Sequence, residues 1–405
     1  MGPHATSSHT PVRRIPCGDR TSAAIGGGYY PRSMPAPNGA RVYRVRKLCG
    51  AGEFATVTQA LAQWSADKRI ITGHRAAVIE IADSGTYHEA PQLTLGPGER
   101  LVLRAADMTR PVLRMFEYHS GDHERIAVLG GSGSRLTIEG LLIAGGPLVL
   151  EGECHTAPCQ VTLRHCTLVP GWETEPQHAP PWRPEPSLVC DAAAVVLRID
   201  HCIAGALQCA GQGSELYIAD SIVDGGHAAA LALSDEQHGA AMVCATIERS
   251  TVVGVVQVER LTLAENAIFM GPLMVGTRAT GQVRHCYMPA GSLTPPREHC
   301  QPDLARAAGG PWREWQRLQP RHRSLRYGDR EYGKLAPDCA WEIACGADDG
   351  AEMGAWHDLH RSPLLLAREA SVPRPGRFMQ QATSANGGAR QGRAIVSQCG
   401  DMYIA

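Results

Sequence analysis

One short pattern recurs seven times between Leu136 and Gly291, and few architectures can accommodate it. The segments are LTIEGLLIAG (136–145), VTLRHCTLVPG (161–171), LRIDHCIAG (197–205), LYIADSIVDG (216–225), ATIERSTVVG (245–254), LTLAENAIFMG (261–271) and QVRHCYMPAG (282–291). They align on the apolar anchors Ile138, Leu163, Ile199, Ile218, Ile247, Leu263 and Val283. Three places on stand Leu141, Cys166, Cys202, Ser221, Ser250, Asn266 and Cys286, followed by an apolar residue and then a glycine. Successive anchors lie 25, 36, 19, 29, 16 and 20 residues apart. An irregular period of about twenty, with short β-branched runs and glycine punctuation, suits the stacked coils of a β-solenoid.

Each segment begins with strict alternation, as in Leu136–Ile138, so one face points inward. Alternation then breaks, because the small residue three after the anchor must also point inward, and that requires a corner. Stacked coils place equivalent residues about 4.8 Å apart, so Cys, Ser and Asn form an inward column that can pack and hydrogen-bond along the stack. The residue after each anchor is expected to face out: Glu139, Arg164, Asp200, Ala219, Glu248, Ala264 and Arg284. The next column reads Gly140, His165, His201, Asp220, Arg249, Glu265 and His285. Both set opposite charges side by side, a ladder whose cross-strand pairs stabilise by a few tenths of a kcal/mol each, about 0.2–1 at most.

Composition agrees. Aromatic residues make up only 5% of the chain while glycines number 44, which favours thin layers and tight corners over a bulky core. The formal net charge of −1 proposes no polyanionic partner, so nucleic acid is not expected. No apolar run approaches the roughly 18 residues of a membrane span. The start of the chain does not read as a secretory signal, and 14 scattered cysteines suit reduced thiols, so a cytoplasmic protein is expected.

Residues 1–40, rich in Pro, Gly, Ser and Arg, read as a flexible or wrapping arm. Thr56 and Gln59 have capping-box spacing, and Val57, Ala60, Leu61 and Trp64 share one face of a helix near 56–65 that covers the open end of the solenoid. The coils extend over 41–291. A proline-rich insertion (170–187) carries Trp172 and Trp182, which suit either stacking on a sugar or pinning the loop to the coil wall. The arginines between Arg306 and Arg330 are interspersed with acids and read as a solvated face. Residues 292–359 are expected to form a docking or capping segment, and 360–405 a disordered or divergent tail.

FATVTQALAQW followed by AAVIEIADSGTYHEA, with Gly85, Tyr87 and Glu89, resembles the opening of pectin methylesterases and other pectin lyase-like proteins. The resemblance implies an all-β, right-handed parallel β-helix with an N-terminal capping helix. YGDREYGKLAPDCAWEIACGADDGAEMGAWHDL (327–359), above all its GADDGAEMGAWHDL, is similar to a C-terminal segment of β-helix proteins encoded beside bacterial phage tail-like contractile injection systems. That similarity implies a structural or surface-recognition role, with particle proteins as partners.

For chemistry, the motifs that pectin methylesterases, polygalacturonases and pectate lyases need are not found. Asp200, Asp220 and Asp224 can approach one another on neighbouring coils, with His201 and His227 nearby, but Arg164 and Arg249 are expected to interrupt the group. Calcium would want six to eight converging oxygens. Cys154, His155 and Cys159 lack the second close pair of a zinc site, so no metal or cofactor is expected. Asp348, Asp349, Glu352, Trp356 and His357 read as a docking surface; a helix over 351–359 would put Glu352, Trp356 and Leu359 on one face, packed on the end of the solenoid. The expected function is a non-catalytic particle component. A polysaccharide-active enzyme or a carbohydrate-binding module is the alternative.

Overall fold

The computed structural model describes residues 25–29, 36–70, 75–116, 124–152, 156–171, 185–309 and 317–358. Strands stack in parallel around three faces. A typical coil runs Ala76–Ile81, Thr86–His88, Leu93–Leu95 and back to Arg100–Ala105, directly above its start. Two faces are joined into one 18-stranded sheet by the long strand Val255–Glu265, which pairs with both, and the third face is an 8-stranded sheet. This is a parallel β-helix. Its interior is filled by Leu, Ile, Val and the cysteines of the repeat.

The helix Val57–Ile70 buries Val57, Ala60, Leu61 and Trp64, the face expected of it, and packs beside the first two strands of the stack. Thr56 Oγ1 accepts from the Gln59 amide at 3.1 Å. Glu89 completes the cap: its two oxygens accept from the Val57 and Thr58 amides at 2.8 and 2.9 Å. The first turn of a helix leaves such amides unpaired, and its dipole favours an anion there. In the same motif the Tyr87 hydroxyl donates to Asp83 at 2.8 Å. Glu89 therefore ties the capping helix to the first coil, while Gly85 and Tyr87 brace the turn at Asp83.

The expected register holds from Ile138 through Leu163, Ile199 and Ile218 to Ile247. It then slips by one. Ile247 pairs with Ala264, not Leu263, because Val255–Glu265 carries an extra residue between Leu261 and Leu263. Such a bulge shifts every later side chain by one position. The inward small residue of that coil is thus Ala267, and Asn266 moves to the corner. The stack also runs beyond Gly291: Arg297–Glu298 pairs with Gln282–Arg284, and Cys300 is buried beneath.

Candidate functional site

The corner between the longest face and the 8-stranded sheet organises the chemistry. Its inward column, Leu141, Cys166, Cys202, Ser221, Ser250, Ala267, Cys286 and Cys300, is fully buried. The Cys202 amide donates to Ser221 Oγ at 2.9 Å, and the Ser221 amide to Ser250 Oγ at 3.3 Å. Burial pushes the Cys202 and Cys286 thiols well up and the Cys300 thiol to about 11, so these are packing groups and not nucleophiles. Cys159 lies in the core beside Ser134 rather than in a metal site, and Cys154 and His155 lie outside the described residues.

The next column out has left-handed backbone at every rung from His165: His165, His201, Asp220, Arg249, Asn266, His285 and His299 have φ between 43° and 54°. Asn, Asp and His tolerate this region better than other residues with a side chain, which explains much of the column's composition.

The column just inside it is a charge ladder. Arg44, Glu80, Arg104, Glu139, Arg164 and Asp200 are consecutive register partners of alternating sign. Ala219, Glu248, Glu265, Arg284 and Glu298 continue it. The expectation that the residue after each anchor faces solvent fails: Glu139, Ala219, Glu248 and Ala264 are buried and Arg164, Asp200 and Arg284 half-buried, and Glu265, which the bulge moves onto the ladder, is buried too. Each rung covers the next, so charge is hidden by charge. Alternation lapses at Ala219, Glu248 and Glu265. There Arg249 reaches in from the corner, donating to both oxygens of Asp220 at 2.7 and 2.9 Å and to Glu248 at 3.1 Å.

Asp200, His201 and Asp220 come together, with one donor atom from each mutually within 4.8 Å. Asp200 receives Arg164 Nε at 3.0 Å and lies 2.7 Å from His201 Nδ1. Burial raises the Asp200 carboxyl, but the His201 ring and the Arg164 charge outweigh it and hold the group below its ordinary value. Burial opposes a charged His201, yet Asp200, with Asp220 and Asp358 nearby, raises it. Arg164 and Arg249 therefore occupy this group, as expected from the sequence. A cation here would have to displace two guanidinium groups from the carboxylates.

Asp224 is not part of that group. It is 4% exposed and accepts the hydroxyl of Tyr332, a residue 108 positions away that no local pattern links to it. Burial raises its pKa, and the Tyr332 and Gly226 donors offset only part of the rise. His227 sits on an exposed turn, where its Nδ1 accepts from the Ala229 amide.

The C-terminal segment lies along the flank of the β-helix, not over its end. Tyr332, Ala355 and Trp356 cover Ile203 and Ile222, while Ile343 and Met353 cover Ile268 and Tyr287. Residues 351–358 form turns rather than a helix. Consequently Trp356 packs on this chain's own coils, and Glu352 and His357 are buried within the segment. Asp348 exchanges two hydrogen bonds with the Asn266 amide side chain, at 2.7 and 3.0 Å. Asp349 lies 3.4 Å from His357 Nε2. The arm uses the same berth: Gly26 N donates to the His201 carbonyl and Gly27 N to Thr167 Oγ1, at 2.8 and 2.9 Å. Gly354 and Ala355 repeat this on Asn266 and Thr251, at 2.8 and 3.1 Å. Gly26 and Gly354 have positive φ, and a Cβ on either would stand 2.7 Å from the threonine oxygen. Trp172 and Trp182 lie outside the described residues. Arg317, Arg321 and Arg323 pair with Glu342, Asp338 and Glu331, as a solvated face would.

Compared with known proteins, the chain matches no family model and no curated protein. No helix among the described residues is long and apolar enough to cross a membrane.

Proposed function

We propose that the chain is a non-catalytic structural or surface-recognition β-helix associated with a phage tail-like contractile injection particle. The observation that carries the non-catalytic half is the employment of its acids. Asp200 is engaged by Arg164 on the neighbouring rung and by the adjacent His201, Asp220 by Arg249 across rungs, and Asp224 by Tyr332 of the flank. A catalytic carboxylate must reach the proton it moves, and Asp220 is 2% exposed. The particle association rests on the similarity of residues 327–359 described above. With Trp356 and Met353 turned inward, that segment offers its outer side, where Trp341 is 70% exposed, as the surface for a particle protein. The test is co-purification from the native host: wild type is expected to travel with sheath and baseplate proteins, and Trp341→Ala to weaken that association. Free wild-type protein in cells that assemble particles would sink the reading.

A second reading, action on a polysaccharide, is favoured by the convergence of Asp200, His201 and Asp220. Purified protein incubated with acidic and neutral polysaccharides, with and without calcium, separates the two. Turnover that vanishes in Asp200→Ala and Asp220→Ala would make the enzyme reading the better one.

A further inference from the structure

A cleft of about 640 Å³ lies where the 8-stranded sheet, the arm and the C-terminal segment meet. Ser84, Thr86, Arg110, Val112, Arg114 and Leu142 come from the coils, Tyr29 from the arm, and Arg326 to Asp329 from the C-terminal segment. Its size falls in the range of small-ligand sites, about 300–1,000 Å³. It is separate from the acids described above and from the charge ladder; its apolar floor, Val112, Leu142 and Tyr327, packs on the flank of the coils.

Its lining concentrates positive charge. Among the described residues Arg110, Arg114 and Arg326 form no ion pair, and all three line this one cleft. The Nε of Arg110 is buried without a hydrogen-bond partner. A buried donor of this kind is costly unless something accepts from it. Asp329 accepts from the Ser324 hydroxyl and is the lining's one carboxylate. Three guanidinium groups against one carboxylate leave a surplus of two positive charges.

We propose that this cleft binds a phosphate monoester carried on a hydroxylated ring, such as a sugar phosphate. A phosphate monoester carries about −1.5 to −2 charges at pH 7, which matches the surplus, whereas a carboxylate or sulfate ester carries one. Guanidinium groups bind phosphate oxygens through paired N–H donors. The remaining lining suits the ring: Tyr29 and Tyr327 offer aromatic faces, and Ser84, Thr86 and Asp329 offer partners for hydroxyls. Burial raises Tyr327 to about 12, with Arg110 pulling the other way, so its hydroxyl remains a donor at neutral pH.

Calorimetric titration of the full chain with glucose 6-phosphate, inorganic phosphate, glucuronate and glucose tests this. The ester is expected to saturate one site at least about tenfold more tightly than any other probe, with affinity falling below about pH 6 as the phosphate takes up a proton. Arg114→Gln and Arg326→Gln alter exposed side chains and should keep the wild-type melting temperature while each weakening the ester about tenfold or more. Absence of saturable ester binding would overturn the proposal. So would equal or tighter binding of inorganic phosphate or glucuronate, or ester binding unchanged in both variants.

Discussion

At the residue scale, the corner shows how one position can be conformationally demanding and electrically useful together. Left-handed backbone selects His, Asp and Asn, which are polar, so the column that turns the chain also presents titratable groups to the ladder. The inward cysteines are its apolar counterpart. Cys166, Cys202 and Cys286 should resist thiol reagents until denaturant is added, and Cys202→Asp should cost several kcal/mol by placing an unpaired charge in the core. Rapid native labelling would disprove the register. A second prediction concerns Asp200 and His201. The folded value of His201 is raised, so its contribution is complete below 6.5 and is lost as pH rises through that folded value. The folded value of Asp200 is lowered, so its contribution is complete above 3.8 and is lost as pH falls through it. The melting-temperature gap between wild type and Asp200→Asn should therefore be widest between those limits and narrow on both sides. Most of this column is legible in the sequence, since Cys, Ser and the apolar anchors carry the inward pattern on their own. Asn266 is the exception, because one extra residue in a strand of uniform composition leaves no mark that alternation can reveal.

At the element scale, the capping helix is readable because its determinants are local: Thr56, Gln59 and an apolar stripe within a few turns. Its third anchor, Glu89, is visible as part of a motif, but its role depends on the fold bringing residues 57 and 89 together. Glu89→Ala should cost about 1–2 kcal/mol, seen as a lower melting temperature with the β-sheet signal intact. An unchanged melt would remove the carboxylate from the cap. The C-terminal segment is less legible. Its apolar residues are evident, but whether they meet the end or the flank of the coils depends on Ile203, Ile222 and Ile268, outward-facing residues in short strands that resemble any others. Burial raises Glu352 in this segment to about 8 from an ordinary 4.5, with Arg323 opposing. A raised acid favours the fold below its unfolded value and withdraws that support as pH climbs through 8. Glu352→Gln should therefore melt above wild type at pH 9, by an amount equivalent to about 5 kcal/mol at most, since moving a pKa by one is worth about 1.4 kcal/mol. The two should converge near pH 4. A constant gap across that range would contradict this account of Glu352.

At the scale of the whole molecule, the β-helix and its flank segments share one boundary but contribute differently. The coils hold the main core, whereas the flank covers isoleucines whose exposure would each cost roughly 1.5–3 kcal/mol. A chain ending after Gln301, which keeps the last rung, should retain β-rich circular dichroism, melt at lower temperature and bind an apolar dye. Melting unchanged from the full chain would mean that the flank contributes nothing. The paired berths also bear on how the protein is made. Synthesis proceeds from the N-terminus, and folding follows it. Ile25–Gly27 leaves the ribosome early, yet its berth is completed only when Thr167 and His201 have been added and wound into place. The second berth waits still longer, for Gly354 and Ala355 to return to Asn266 and Thr251. Until then Asp224 lacks the hydroxyl that Tyr332 will bring. A half-made chain thus shows water an acid that the finished protein conceals, and closure of the flank marks the end of assembly.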